Sequence, residues 1–411
     1  MGHADTLLAM GGAFVAAAFL ARLGGRIGLP TIPLFILAGI LLGPNTPGYV
    51  LIEDAHDLEM LSALGLVLLL FYLGLEFHMD DLRTGGRKMA IAGSAYLLLN
   101  VGAGLGFGFA LGWGTSEALV LAGVLGISSS AIVTKILVDA GRIGNKETRP
   151  ILGIIVVEDI FLALYLAALQ PVISGADGVT GTLLDIGQAF GFLVLLAVAA
   201  RWGTGLIGRL FATKDNELLV ISFLGAAVLV SGVAEKVGVA DAIAAFMVGL
   251  ILGNTGSGDR IRDLVHPLRD AFAAIFFFAF GLSIAPGDLP LVIWPVLIAV
   301  AITVTMNVLA GLFTARIYGF GPQPTANVAT TLLARGEFAL ILATMAAAAG
   351  LDSRLSPFIA GYVLILAVVA PLAAGRSHWL ARCLPGGKAA AAEGREEDEP
   401  AEELAGAGKE R

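Results

Sequence analysis

Charge is what this sequence has least of. Asp, Glu, Lys and Arg make up 14% of its 411 residues, against about 25% in an ordinary soluble domain. Cysteine is reduced to Cys383, which excludes an intramolecular disulfide and leaves the redox compartment open. His3, His56, His78, His266 and His378 are scattered without ligand spacing, so neither a metal centre nor a cofactor is expected from them. No His-Glu-x-x-His and no Gly-x-Ser-x-Gly occurs, so intramembrane protease and lipase chemistry lack their parts and an enzyme is not expected. Basic residues are outnumbered 25 to 33, for a net charge of −8. Residues 385–411 alone carry −4 of that, and the near balance of the rest gives no nucleic-acid footprint. Met1–Thr6 holds no positive n-region, so no cleavable signal peptide is expected and the first apolar stretch reads as a span that stays.

What fills the chain instead is apolar: 57% of residues are hydrophobic and mean hydropathy is +0.88, which makes lipid the solvent. Apolar runs near the ~20 residues that cross a bilayer fall near 6–23, 29–43, 58–77, 88–111, 116–140, 149–173, 184–202, 216–235, 239–253, 266–285, 290–315, 324–350 and 355–383. The fold class expected is therefore an all-α polytopic membrane protein of about 13 transmembrane helices. One set of alternate loops holds Arg22/Arg26, Arg83/Arg87/Lys88, Arg142/Lys146/Arg149, Arg201/Arg209/Lys214, Arg260/Arg262/Arg269, Arg316 and Arg376/Arg382. The opposite set has only Lys236 and Arg354, beside acidic Glu53, Asp54, Asp57 and Asp177. The positive-inside rule then puts the N-terminus outside and the C-terminus in the cytoplasm. Residues 384–411 read as a disordered, acidic cytoplasmic tail, since they offer too little apolar surface to fold.

The sequence also repeats itself. Leu34–Asn45 is echoed by Ala244–Asn254, with glycines matching at a shift of 210. Leu73-Gly74-Leu75 is echoed by Phe280-Gly281-Leu282 at a shift of 207, and the same shift carries Ser128-Ser129-Ser130-Ala131 onto Arg335-Gly336-Glu337-Phe338. The copies begin seven spans apart, so they insert with opposite orientation, as two inverted five-helix repeats. Inverted repeats mark secondary transporters, whose sites lie at the repeat interface near the midplane, where helices are interrupted. The Ser triplet in the fifth span and Arg-Gly-Glu in the twelfth are the two interruptions expected.

A charge at a helix centre costs about 2.5–3.5 kcal/mol on the insertion scale, so each one is a candidate. Glu158-Asp159 sits about ten residues into its span, between Ile154-Ile155-Val156-Val157 and Ile160-Phe161-Leu162. Burial disfavours a bare carboxylate, and either a proton or a cation restores it. A group holding one or the other, never neither, is the minimal exchanger. The structural alternative is that the pair only binds Arg335 or Lys135 to pin helices together. Arg335 and Glu337 fit a local ion pair and a role in the site equally well. Ser128, Ser129 and Ser130 offer hydroxyl or freed carbonyl oxygens, which hard cations want, although serines also pack or bond to their own backbone in membrane helices. Gly102-Ala103-Gly104-Leu105-Gly106 looks like part of a dinucleotide loop but lies inside a span. Gly104, Gly108 and Gly112 read there as a packing face. Glu76 and Asp241 lie near span ends and read as capping or interfacial groups.

Ser128–Ala131, the Glu158-Asp159 pair, Asp241–Gly249 and Arg335-Gly336-Glu337-Phe338 together resemble the bacterial monovalent cation:proton antiporters of the Kef-type potassium-efflux branch. The likeness covers residues 6–383. It implies a transmembrane antiporter domain over 1–383, with a dimerisation part of about 6–77 and 216–285, a mobile core of about 88–173 and 290–383, and a linker helix at about 184–202. It implies that Asp159 carries the ion and proton, that the core moves like an elevator against a static homodimer in the inner membrane, and that potassium or sodium is the cation. Many such proteins carry a fused nucleotide-sensing domain, so here a separate cytosolic regulatory subunit is the expected partner. Many also place a Lys in the span before Arg-Gly-Glu-Phe. Span 290–315 offers only Thr303, Thr305 and Asn307, which favours electroneutral exchange. Glu158 keeps a second proton open. The rivals are a sodium-coupled organic acid symporter, which needs a wider polar pocket, and a gated cation channel, which needs a continuous polar lining.

Overall fold

The computed structural model describes residues 3–26, 31–46, 50, 52, 58–76, 79–173, 211–236 and 241–384, with scattered positions between 181 and 209. The span expected at 184–202 and the tail from 385 onward lie outside its continuous segments, as do Glu53, Asp54, His56, Asp57, His78 and Asp177. Its helices are α1 (His3–Gly25), α2 (Thr31–Leu42), α3 (Glu59–Glu76), α4 (Met79–Leu111), α5 (Thr115–Gly126), α6 (Ser130–Asp139), α7 (Thr148–Ile173), α8 (Asn216–Lys236), α9 (Asp241–Gly253), α10 (Gly258–Leu282), α11 (Leu289–Tyr318), α12 (Pro322–Thr331), α13 (Glu337–Ala348), α14 (Leu355–Gly375) and α15 (Ser377–Cys383). No strand occurs among the described residues. Helix is the only open-ended element that satisfies its own backbone in hydrocarbon, and these runs of Leu, Ile, Val, Ala and Phe leave nothing to compete with it.

Among the described residues, eight helical segments are long and apolar enough to span a membrane, the broken pair α5–α6 counting as one, and four shorter apolar helices accompany them. The chain is thus an all-α polytopic membrane protein. Boundaries shift where charge hid a helix or a break. Helix α10 begins at Gly258, eight residues before the apolar window, because Gly258–Arg269 is helical despite five charged side chains. The last span stops at Gly375 and does not reach 383: the Arg376 amide bonds back to Leu372 and Ala373, and α15 starts afresh. Helix α4 is broken at Gly86, whose φ of 61° suits glycine.

Close helix packing rests on glycines at repeat-related positions. A Cβ on Gly39 of α2 would sit 2.0 Å from the Phe278 carbonyl of α10, and one on Gly281 would sit 2.2 Å from the Ile36 carbonyl. The second copy does the same: a Cβ on Gly249 of α9 would lie 2.0 Å from the Phe71 carbonyl of α3, and one on Gly74 would lie 2.0 Å from that of Phe246. Gly39 and Gly249 are 210 apart, and Gly74 and Gly281 are 207 apart. The α2–α10 and α9–α3 contacts are therefore one contact built twice. Small residues permit such approaches where lipid gives no hydrophobic drive for association. Gly104 and Gly108 do pack α4 on α5, against Ala122 and Ala118. Gly112 instead follows the end of α4 with φ of 69°, and a Cβ there would meet nothing within 4 Å.

The helices gather in two groups. One joins α1, α2, α3, α8, α9 and α10, while the other joins α4, α5, α7, α11, α12, α13 and α14. Contacts between the groups are sparser, through α7 on α9 and α14 on α2.

Candidate functional site

Both expected interruptions are present. Helix α5 stops at Gly126, Ile127–Ser129 run extended, and α6 restarts at Ser130. Helix α12 stops at Thr331 and α13 restarts at Glu337. The two breaks are joined: the Ser129 amide donates to the Ala334 carbonyl at 2.9 Å. Four helix ends thus meet in one place, two C-termini with orphaned carbonyls and two N-termini with orphaned amides.

Arg335, fully buried, serves the C-terminal pair. Its Nε and Nη2 donate to the Leu125 carbonyl at 3.2 and 2.7 Å, and Nη1 donates to those of Leu332 at 2.8 Å and Ala334 at 3.3 Å. Leu125 and Leu332 are 207 apart, so a single guanidinium caps the equivalent ends of both copies and offsets both partial negative charges. Glu337 serves the N-terminal pair. It opens α13, and its carboxylate accepts from Ser129 Oγ at 2.5 Å and Ser130 Oγ at 3.4 Å, at the start of α6. Ser129 itself caps α6, accepting from the Ile132 amide. Arg335 and Glu337 therefore take separate partners and do not pair with each other. Lys135 pairs with Asp139 at 2.8 Å.

The paired carboxylates on α7 differ sharply. Glu158 is met on both oxygens by one residue, the Ser128 amide at 2.9 Å and the Ser128 hydroxyl at 2.5 Å. Asp159, 8% exposed, has a buried Oδ1 with no hydrogen-bond partner. Asp159 borders a small void lined by Leu162, Ala163 and Leu166 of its own helix, Leu70 of α3, and Ile243 and Phe246 of α9. An ionised carboxylate cannot stand bare in such company. Chemically, this oxygen can take a proton or a cation.

A larger cavity of ≈ 550 Å³ runs between the two helix groups. Ser130, Ala131, Glu337 and Phe338 of the crossing line it, as do Glu76, His266, Arg269 and Asp270 at the opposite end of α3 and in α10. Leu70 borders both this cavity and the Asp159 void. Glu76 and Asp241 occupy helix ends, the last residue of α3 and the first of α9.

The residues expected at the site are thus brought together, Ser128 on Glu158 and Ser129 and Ser130 on Glu337. What the sequence reading passed over is a polar seam behind Arg335. Asn100 Oδ1 accepts from Arg335 Nη2 and from Asn307 Nδ2, each at 3.4 Å. The Tyr96 hydroxyl donates to the Leu332 carbonyl at 3.2 Å, and Tyr362 and Thr303 share a 2.6 Å bond. Asn100 and Asn307 are 207 apart, which was the available signal.

Broken helices crossing between inverted copies, with an unpartnered carboxylate beside the crossing, define a secondary transporter. The sequence pattern of the sodium/hydrogen exchanger transmembrane family matches residues 14–376. The chain belongs to that family and is a cation:proton antiporter. It is 41% identical over 381 residues to the K(+)/H(+) antiporter subunit KhtU of Bacillus subtilis, covering 91% of this chain and 94% of that one. It is 31% identical over 380 residues to the putative cation/proton antiporter YbaL of Escherichia coli, covering 89% and 66% respectively. The solved structure of the sodium proton antiporter MjNhaP1 from Methanocaldococcus jannaschii shares the fold, with a TM-score of 0.70 at 17% identity, over 92% of this chain and 99% of that one.

Proposed function

We propose that this protein exchanges potassium for protons, with sodium as the alternative cation, and that Asp159 is the group alternately protonated and cation-bound. The observation carrying the reading is the unpartnered Asp159 Oδ1. It is the one fully buried oxygen of the carboxylate pair without a partner in the protein. Glu158 stays with Ser128 and shapes the site, Ser128–Ser130 hold the crossing open, and Arg335 and Glu337 neutralise the four helix ends. Potassium is preferred because KhtU, the relative described above, is by name a K(+)/H(+) antiporter subunit.

Alternating access then works by movement of one helix group against the other. The group of α1–α3 and α8–α10 is the static, homodimer-forming part, and that of α4–α7 and α11–α15 is the mobile core. Their sparser mutual contacts support this division. The ≈ 550 Å³ cavity is lined by His266, Arg269 and Asp270 of α10, and the basic residues of that stretch make this the cytoplasmic side of a bacterial inner membrane by the positive-inside rule. A separate cytosolic subunit would supply regulation, in keeping with the word subunit in the name of KhtU.

The test is proton movement in reconstituted vesicles carrying an internal pH dye, on adding potassium, sodium or choline, at two clamped voltages. A potassium-triggered, voltage-insensitive signal is expected. A response to sodium alone would change the substrate, and a voltage-dependent signal would move Glu158 into the proton stoichiometry.

A further inference from the structure

Five cations gather where α4 and α7 begin and α11 ends. Arg87 and Lys88 stand where α4 resumes after its break at Gly86, Lys146 and Arg149 flank the start of α7, and Arg316 lies in the last turn of α11. All five are exposed, and among the described residues none pairs with a carboxylate. Cations elsewhere do pair: Lys135 with Asp139, Arg269 with Asp270 and Arg354 with Asp352. The acid beside Lys146, Glu147, is 2% exposed and already accepts from Asn145 and Asn327. Two of the five are also held in position. Lys88 Nζ lies 5.7 Å from the centroid of the Tyr318 ring and Lys146 Nζ 5.9 Å from that of Phe320, and the two rings stack at 5.5 Å. Such contacts orient an ammonium without neutralising it.

We propose that this surface is the docking site of the chain's own acidic run, Glu393–Glu403, bound by charge and released by salt. The run holds seven carboxylates against Arg395 alone. Its root lies at the same end of the molecule: Leu384 packs with Ala381 of α15 against Ala326 of α12, and α12 begins two residues after Phe320. Arg142, in the same loop as Lys146, ties that corner together by donating to the Ala374 carbonyl at 2.7 Å and to Ser377 Oγ at 3.0 Å. Glu393 follows Leu384 by nine residues, a stretch that reaches about 30 Å when extended. A tether of that length keeps the run at an effective concentration on the order of millimolar, so contacts too weak to hold a free peptide suffice. Exposed charge pairs are individually weak, and at physiological ionic strength they are screened beyond about 8 Å. Occupancy therefore falls steeply as salt rises. In a protein that moves cations, the cover over this surface responds to the ionic strength that transport alters.

Distances between spin labels test this in the full chain. On a Cys383→Ser background, Gly321→Cys beside the patch and Ala401→Cys in the run each take one label. The labelled protein is diluted with unlabelled protein, so that distances within one chain are read by double electron–electron resonance in phosphatidylcholine vesicles. A Cβ at Gly321 meets nothing within 4 Å, and Lys88 and Lys146 are exposed, so the variants should fold. At low salt a single narrow distance is expected, broadening at least about twofold in 1 M potassium chloride, where the screening length is about 3 Å. Lys88→Gln with Lys146→Gln should broaden it at low salt, as should Glu396→Gln, Glu397→Gln, Asp398→Asn and Glu399→Gln together. A broad distribution at low salt that these substitutions leave unchanged would overturn the proposal. A narrow distance that disappears when phosphatidylglycerol replaces part of the lipid would give the surface to lipid headgroups and overturn it as well. Neither result depends on which cation the protein exchanges.

Discussion

Asn307 donates to Asn100 at 3.4 Å in the middle of the molecule, and each is the other's counterpart in the repeat. Each also bonds, through its own Nδ2, to the carbonyl four residues earlier, Tyr96 and Thr303 respectively. The pseudo-symmetry axis therefore passes through a hydrogen bond, and Arg335 leans on the same Asn100 oxygen. Removing either asparagine leaves a buried polar group short of a partner, at about 1–3 kcal/mol. Asn100→Ala and Asn307→Ala should each lower the unfolding midpoint of the purified protein. The double variant should lose less than the sum, since the residues share one bond.

Arg335 should be harder to replace. Its guanidinium satisfies carbonyls on two half-helices that no other side chain reaches, apart from Tyr96 at Leu332. Arg335→Met keeps most of the volume and exposes both C-termini to each other. A loss of about 3 kcal/mol or more is expected, visible as collapsed expression of folded protein. Lysine should restore part of it, because it returns the charge without the fork.

The glycine contacts predict matched effects. Gly39→Ala and Gly249→Ala each push a methyl to 2.0 Å from a backbone carbonyl, so the helix pair must spread, at about 1–3 kcal/mol. Because the two positions are repeat mates, their thermal shifts should agree closely. Gly102→Ala meets nothing within 4 Å and should be neutral or slightly stabilising. Unequal shifts at Gly39 and Gly249 would break the equivalence drawn between the copies.

Ser128→Ala should strand Glu158 Oε2 in the core while leaving the Ser128 amide bond to Oε1. The expected outcome is reduced stability and altered cation affinity with exchange retained. Complete loss of exchange in a folded Ser128→Ala protein would mean that the serine hydroxyl is needed by the ion itself.

Much of this was legible in the sequence because membrane burial makes charge and repetition conspicuous. The breaks at Ser128–Ser130 and Arg335-Gly336 could be placed from a serine triplet and an Arg-Gly pair that sit poorly in an unbroken lipid-facing helix. The inverted copies showed in glycines because a close backbone contact admits nothing larger. The ends of α10 and α14 were misjudged for a related reason: an apolar window sees lipid contact, whereas helix continues through charged Gly258–Arg269 and stops at Arg376 inside an apolar run. The local pairing of Arg335 with Glu337 suggested by their spacing does not form, since oppositely poled helix ends compete for them. The Asn100–Asn307 seam was hidden because a neutral amide in a span looks like a helix defect until its counterpart is seen opposite.

The most direct measurement compares Asp159→Asn with Glu158→Gln in the same vesicles, following potassium-driven proton movement at matched protein content. Asparagine fills the same space and can neither bind a proton reversibly nor hold a cation by charge. The account predicts that Asp159→Asn, although folded and inserted, moves no protons above the level of empty vesicles, whereas Glu158→Gln still exchanges. Potassium-driven exchange at the wild-type rate in Asp159→Asn would contradict it, and would move the transported charge to another carboxylate.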